Sequence, residues 1–575
     1  MTASNNPPAP TRSLIADALV VCVLGALLFA ILNVAQEWKA PFHANTHIDL
    51  SLGKLPQYTL YSLARGCTAM VLSLAFAVGY ATWAYYDARA RRVLIPLLDI
   101  LQSIPVLGFM PALVLALVLI FPKTNLGLEL ACVLMIFTAQ VWNMVFSYYD
   151  SLKAVPAEFR QMGVLCAYGP LKTFLRIELP FAAQGLIYNC MVSMAGGWFF
   201  LTINEAFTLG NKNFQLPGVG SYMSVAIAQG NVRAQVAAVV AMGVMIIAVD
   251  RLVWWPLVIW SRKFKLEDTA AGPRESTLIG RMVARSHLVE SVAVAPGLVA
   301  AELRRILPSV PAFVDVGRRH AAAVKSTPAV VYWLILAGVF TISGIGLFQL
   351  GAMLAKVPAG EWLLITGAAG MTFLRVVSAL VISSLWTIPV GVWIGLNPKW
   401  ARALQPLIQF AASFPAPMLY PLVFGLVLAV GGTLQWGAII LMMLGAQWYI
   451  LFNVAAGAQA IPADMLACAD IFQFRGWARW RKFLLPAIFP PLVTGWITSA
   501  GGAWNASIVS EFLQQGDKTF TATGLGATIS EATAAGDFNR LAASVVVMAV
   551  CVVVINRTFW KTLQRKGDLY CRFGG

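Results

Sequence analysis

The chain has 575 residues, of which 59% are hydrophobic and only 11% charged, with a formal net charge of +16. That composition excludes a soluble globular protein, and the missing period-2 alternation excludes a membrane β-barrel. In a chain this apolar the positive charge points to basic cytoplasmic loops rather than to nucleic acid.

Met1 to Arg12 is a polar tail. Ser13 to Ala35 reads as an uncleaved spanning helix, being long for a signal-peptide core and lacking a clear cleavage signature. After the polar loop Glu37–Pro56, further spans are predicted near 57–84, 96–121, 127–149, 181–205 and 236–260. Residues 261–328 interrupt the pattern with eleven Lys/Arg and six acids, and Thr277–Val292 and Leu298–Leu307 read as amphipathic helices or as parts of a solvated linker. Six more spans follow near 329–352, 364–396, 406–430, 433–456, 487–511 and 541–560. The sequence therefore predicts an all-α polytopic fold with about twelve transmembrane helices. Its parts are a first half (1–260), a basic cytoplasmic linker (261–328) and a second half (329–575). Lys and Arg cluster after every second span, which places both termini in the cytoplasm.

Two polar islands stand out between the apolar runs. Val155–Pro180 reads VPAEFRQMGVLCAYGPLKTFLRIELP, and Ile461–Pro486 reads IPADMLACADIFQFRGWARWRKFLLP. Pro156 to Pro180 and Pro462 to Pro486 both span 24 positions. The islands belong to an internal repeat. At an offset of 306, Trp142 maps to Trp448, Trp198 to Trp504, Glu205 to Glu511, Gly218 and Gly220 to Gly524 and Gly526, and Arg251 to Arg557. Earlier in each half the offset is 310, relating Arg65 to Arg375, Pro105 to Pro415 and Pro111 to Pro421. An even number of spans per half gives parallel repeats, with a pseudo-two-fold axis along the membrane normal and a pathway on that axis.

The ionisable candidates are Glu205 and Glu511, each ending an apolar span. Either they face the pathway together with Trp198 and Trp504, or they anchor neighbouring backbone N–H groups. Arg65 and Arg375 either snorkel to the outer surface or attract an anion. Pro105 and Pro415 interrupt their spans and free backbone carbonyls, at a gate or at a structural kink. The Gly-x-Gly pairs read as turns. His43 and His47 lie in one loop without a further ligand, so no metal site is expected, and the eight Cys form no CxxC pair. No GxxxxGK[ST] motif occurs, and no nucleophile–base constellation is visible.

The islands resemble the "EAA" loops of ABC importer permeases, within the nitrate/sulfonate/taurine/bicarbonate branch. The Pro-Ala-acid lead-ins (Pro156 to Glu158, Pro462 to Asp464), the Leu-Pro ends and the Trp…Glu…Gly-x-Gly series carry the resemblance. It covers about 60–260 and 370–560, as if two permease subunits were fused head to tail. The motif's Glu-Ala-Ala is Gln161-Met162-Gly163 in one island and Ala467-Cys468-Ala469 in the other. Its Gly is Ala167 and Gln473. The resemblance implies a type I importer permease of the bacterial inner membrane that carries a small polar, often anionic solute. It has no ATPase site or cofactor of its own. The implied partners are two copies of an ABC ATPase, which bind ATP and Mg, and an extracytoplasmic solute-binding protein. Each island, with Tyr168 and Phe474 at equivalent places, is then a coupling helix. Two other readings stand beside it: an ion-coupled secondary transporter that uses Glu205 and Glu511, and a membrane scaffold without transport.

Overall fold

The computed structural model describes residues 47–103, 105–210, 212–261, 264, 329–516 and 518–570. The first span Ser13–Ala35 and the two amphipathic helices of the linker lie outside the described residues.

The first half begins with α1 (Leu55–Tyr86), α2 (Ala88–Ser103), α3 (Val106–Ile120) and α4 (Leu126–Ala154). The island forms α5 (Ala157–Leu165), α6 (Pro170–Thr173) and a π-helical turn (Phe174–Glu178) that runs into α7 (Leu179–Asn204). A hairpin follows, β1 (Ala206–Leu209) with β2 (Lys212–Gln215), then α8 (Val219–Ala228), α9 (Val232–Val249) and α10 (Trp255–Ser261). The second half opens with α11 (Ala329–Leu354) and then repeats the series. Its members are α12 (Ala359–Leu396), α13 (Pro398–Ser413), a 3₁₀ turn (Ala416–Leu419), α14 (Tyr420–Ala429), α15 (Leu434–Gln459), α16 (Ala463–Ile471) and α17 (Gly476–Arg479). The π turn of the second island (Trp480–Leu484) leads into α18 (Leu485–Ser510), β3 (Phe512–Gln515), β4 (Lys518–Thr521), α19 (Leu525–Ala535), α20 (Phe538–Ile555) and α21 (Lys561–Tyr570).

Eight described helices are long and apolar enough to cross a bilayer, or nine if a bent pair counts as one span. Two of the predicted spans are not continuous. The run at 96–121 breaks between α2 and α3, where Pro105 is extended (ψ 120°) and caps α3. The run at 406–430 bends by 83° between its two pieces. Proline is the cause in both, because it lacks an N–H and disfavours helix in the residue before it. The π turns of the two islands have the same origin. Pro180 and Pro486 each follow one after a single residue, and a missing N–H opens the helical ladder there.

The two hairpins were not foreseen from the sequence. They pair in register Phe207↔Phe214 and Leu513↔Phe520. Gly210 and Gly516 turn them with φ of 56° and 59°, a conformation open to glycine at no steric cost. Each tip docks on the other half: Gly210 N–H donates to Thr533 O (3.0 Å), and Gly516 N–H donates to Ile227 O (3.1 Å). The two bonds are related by the 306 offset, so the halves pack about a pseudo-two-fold axis. One main core built from both halves runs through the bundle. The islands lie at one end of the bundle and the hairpins at the other.

Candidate functional site: two surface helices and the anchors beneath them

Pro156 and Pro462 precede α5 and α16 with extended backbone, which starts each helix cleanly. Glu158 and Asp464 sit exposed in the first turns, where a carboxylate complements the helix dipole. Gln161 and Ala467 are exposed, whereas Gly163 and Ala469, the third residues of the motif, are buried. A Cβ on Gly163 would come within 2.9 Å of Ile177 Cδ1 on the π turn, so this position has to stay small.

Both helices end alike. Ala167 (φ 52°) and Gln473 (φ 54°) are the two described non-glycine residues with positive φ. Tyr168 N–H returns to Gly163 O (2.8 Å), and Phe474 N–H returns to Ala469 O (3.0 Å). This is the Schellman closure, whose left-handed residue is usually glycine. The resemblance placed a glycine at these two positions, and the backbone supplies the reason. The departure changes the side chain and keeps the turn.

The tips of the islands present apolar side chains to the outside. Leu165 is 84% exposed and its counterpart Ile471 77%, with Leu171 and Trp477 also matched and exposed. Apolar groups at the end of a membrane bundle, rimmed by Lys172, Arg176, Arg475 and Arg481, mark an interaction surface.

Beneath this surface the halves differ. Arg160 of α5 donates to Leu152 O (2.6 Å) and Val155 O (3.2 Å), and lies 3.4 Å from Glu178. Glu178 is buried and also accepts from the Tyr86 hydroxyl. The second half carries Leu466, Leu484 and Leu396 at these three places. A polar network ties the first surface helix to α1, α4 and the π turn before α7, and apolar side chains stand in the same places under the second.

At the other end, Glu205 and Glu511 are wholly buried. Glu205 Oε1 accepts from Ser62 Oγ (2.6 Å) and Arg65 (2.8 Å), and Oε2 accepts from Gly220 N–H (2.7 Å). Glu511 repeats this with Thr372 (2.9 Å), Arg375 (2.8 Å) and Gly526 N–H (2.8 Å). Each carboxylate therefore sits at the N-terminus of a short helix, α8 or α19, a natural anion seat. The Gly-x-Gly pairs are not simple turns. A Cβ on Gly218 or Gly524 would come within 2.3 Å of the carboxylate.

Of the two alternatives for Glu205 and Glu511, the anchor is the one seen: each carboxylate accepts from a backbone N–H, Gly220 or Gly526, at the start of the helix that follows its hairpin. Arg65 and Arg375 are buried and paired, so they neither snorkel nor wait for an anion. Trp198 is buried against Gly66, where a Cβ would come within 2.8 Å of its ring, and Trp504 is buried likewise. Both Trp are packing residues. Pro105 and Pro415, in contrast, do border the opposite half. Val106 N–H, next to Pro105, donates to Asn505 Oδ1 of α18 (3.0 Å), and the 3₁₀ turn after Pro415 packs against α7.

Sequence reasoning missed Glu129, which receives two bonds from Arg65 (2.7 and 2.6 Å). The repeat held the signal, since offset 306 places Gln435 there, and Gln435 does bond Arg375.

A duplicated polytopic helical bundle, with one helix–turn unit per half displayed at the same end, is the architecture of a membrane transport component. Residues 69–255 and 387–559 each match the binding-protein-dependent transport system inner membrane component family, and the chain belongs to that family. It is similar to a bicarbonate transport system permease protein of Synechococcus elongatus, at 32% identity over 143 residues, which cover 25% of this chain and 50% of the relative. It is also similar to a nitrate import permease protein of Leptolyngbya laminosa, at 26% identity with 32% and 62% covered. A taurine transport system permease protein of Escherichia coli matches at 26% identity, with 33% and 62% covered. The chain thus spans about half the length of the first of these relatives and somewhat more of the other two.

Proposed function

We propose that this chain is a pair of permease halves of an ATP-driven ABC importer, fused in one polypeptide. The island end is cytoplasmic, as the clustering of Lys and Arg supports. There α5 and α16 are coupling helices that dock on two copies of an ATPase subunit, which bind ATP and Mg. The permease has no ATPase site of its own. An extracytoplasmic binding protein delivers the solute to the hairpin end. The solute is small and polar with an anionic group, as the names of the bicarbonate, nitrate and taurine relatives support. The pathway runs between the halves past the Pro105 and Pro415 breaks. The observation that carries this reading is the pair of Schellman-closed, apolar-tipped helices repeated within one chain.

Leu165→Asp with Ile471→Asp puts charge into both docking tips. ATPase subunits should then no longer co-purify, and ATP-driven uptake into proteoliposomes should cease. Uptake that persists without ATP and collapses with an uncoupler would instead establish the ion-coupled alternative.

A further inference from the structure

The inner half of α4 carries a polar stripe. Asn143, Ser147, Asp150 and Ser151 recur at i, i+4, i+7 and i+8, which is one helical face. Such a face at membrane depth turns to water or protein rather than lipid. With Asn189 of α7 it lines an open groove of about 530 Å³ near the island end. Helix α7, which supplies Asn189 to the groove, also packs against α13 and the 3₁₀ turn of the second half.

The second half closes the equivalent place. Gly457, Pro491 and Gly495 stand where Ser151, Gly185 and Asn189 do. A Cβ on Gly457 would come within 2.3 Å of Pro491, and one on Gly495 within 3.1 Å of the Ile450 backbone. Those helices interlock where α4 and α7 leave a notch. Ala456, Gly457 and Gly495 also leave the second half without the Asp150, Ser151 and Asn189 side chains that line the groove.

Its hydrogen bonds give it two chemically different ends. Asn189 Nδ2 donates to Ser147 Oγ (2.8 Å), which leaves the Ser147 hydroxyl proton for another acceptor. Asn189 Nδ2 also donates to Gly185 O (3.0 Å), and the Asn143 amide, one turn deeper, offers two N–H donors beside its carbonyl oxygen. Ser151 Oγ spends its proton on Ser147 O (2.8 Å), so toward the groove it offers lone pairs. Asp150 beside it is acceptor-only, and its partner Lys153 (3.2 Å) lies against the Tyr149 ring instead of lining the groove. The donor end and the acceptor end are one helical turn apart, about 5 Å.

Resting on the permease reading, we infer that this groove is a solute contact site of the pathway for a small zwitterion. The anionic head of the solute meets Asn143 and Ser147, and its ammonium meets Asp150 and Ser151. An oxyanion without an ammonium meets the Asp150 carboxylate unfavourably.

The test uses Ala154→Cys, at the rim of the groove, in the full chain with Cys166, Cys468 and Cys571 changed to serine. Inside-out membrane vesicles are treated with a membrane-impermeant maleimide, with taurine or ethanesulfonate present; the two differ by the ammonium. Labelling should occur, and taurine should slow it several-fold more than ethanesulfonate does. Asp150→Asn should erase that difference. No labelling, equal protection by the two solutes, or an unchanged difference in Asp150→Asn each overturns the inference. If Asp150→Asn does not reach the membrane, the taurine-to-ethanesulfonate comparison decides alone. The labelling needs no ATPase, so a failure of the permease reading shows separately, as absent ATP-driven uptake.

Discussion

The repeat carries a built-in comparison of buried charge, and it sets the cost of removing each arginine. Arg65 is fully buried between two carboxylates, with two bonds to Glu129, one to Glu205 and one to Pro217 O (2.7 Å). Arg375 faces one carboxylate, Glu511, together with Gln435 and Thr523 O (2.9 Å). Arg65→Met leaves Glu129 without its guanidinium and Glu205 with only Ser62 and Gly220. Breaking a buried pair from one side costs about 3–5 kcal/mol, and a second stranded carboxylate puts Arg65→Met at or above the upper end. Arg375→Met strands one carboxylate that keeps Thr372 on both oxygens and Gly526 N–H, so about 3 kcal/mol is expected. Glu129→Gln copies the second half's own arrangement and should cost under about 1 kcal/mol. The assay is the temperature at which the detergent-solubilised chain loses its monodisperse peak. The expected order is wild type close to Glu129→Gln, then Arg375→Met, then Arg65→Met. Equal losses for the two arginines, or Glu129→Gln as harmful as Arg65→Met, would show that pairing does not govern these sites.

Gly218→Ala and Gly524→Ala each push a methyl into a buried carboxylate, so both should abolish stable expression, while Gly53→Ala, with open space around it, should not. Ala167→Gly and Gln473→Gly remove the left-handed penalty at the ends of α5 and α16, about 1 kcal/mol each, and should raise the thermal midpoint. Arg160→Leu alone strands buried Glu178 and should cost roughly 3 kcal/mol. Adding Glu178→Leu and Tyr86→Leu reproduces the second half's apolar set and should recover most of that loss, read as the thermal midpoint of the triple variant against Arg160→Leu alone. Changing Tyr168 and Phe474 singly to alanine should impair ATP-driven uptake unequally, because Lys172 lies over the Tyr168 ring while Phe474 stacks on Phe472; equal loss would count against distinct coupling contacts.

The helical class, the duplication and the two islands were legible because they rest on local signals: apolar run length, a constant offset and the Pro positions at each end. What stayed hidden needed contacts between distant residues. Glu205 stayed open between pathway carboxylate and anchor because a single span shows no partner; Ser62, Arg65 and Gly220 reach it from 143, 140 and 15 positions away. The Gly-x-Gly pairs looked like turns because sequence records the absence of a Cβ and not what would collide with it. The broken spans at Pro105 and Pro415 were half visible. Proline predicted interruption, but only packing decides whether a helix kinks or bends by 83°.

The two halves keep their geometry and differ in chemistry at four places around the island end and the buried arginine. Glu129 is replaced by Gln435, Glu178 by Leu484, Arg160 by Leu466 and Ser151 by Gly457. In each case the first half is the more polar member. Two identical subunits are bound to carry the same side chain at symmetric places, so a polar groove on one side of the axis would force a second one opposite. A fused chain is free of that constraint. It can keep the hairpin docking and the Schellman turns twice, because both sides of the assembly need them, and present one polar wall and one closed wall to the cleft. A small solute then meets a single oriented set of donors and acceptors instead of two equivalent sets competing for it. On this argument the asymmetry at the island end and the one-sided groove have a common origin in the fusion. Restoring symmetry should therefore reduce discrimination between solutes before it reduces stability.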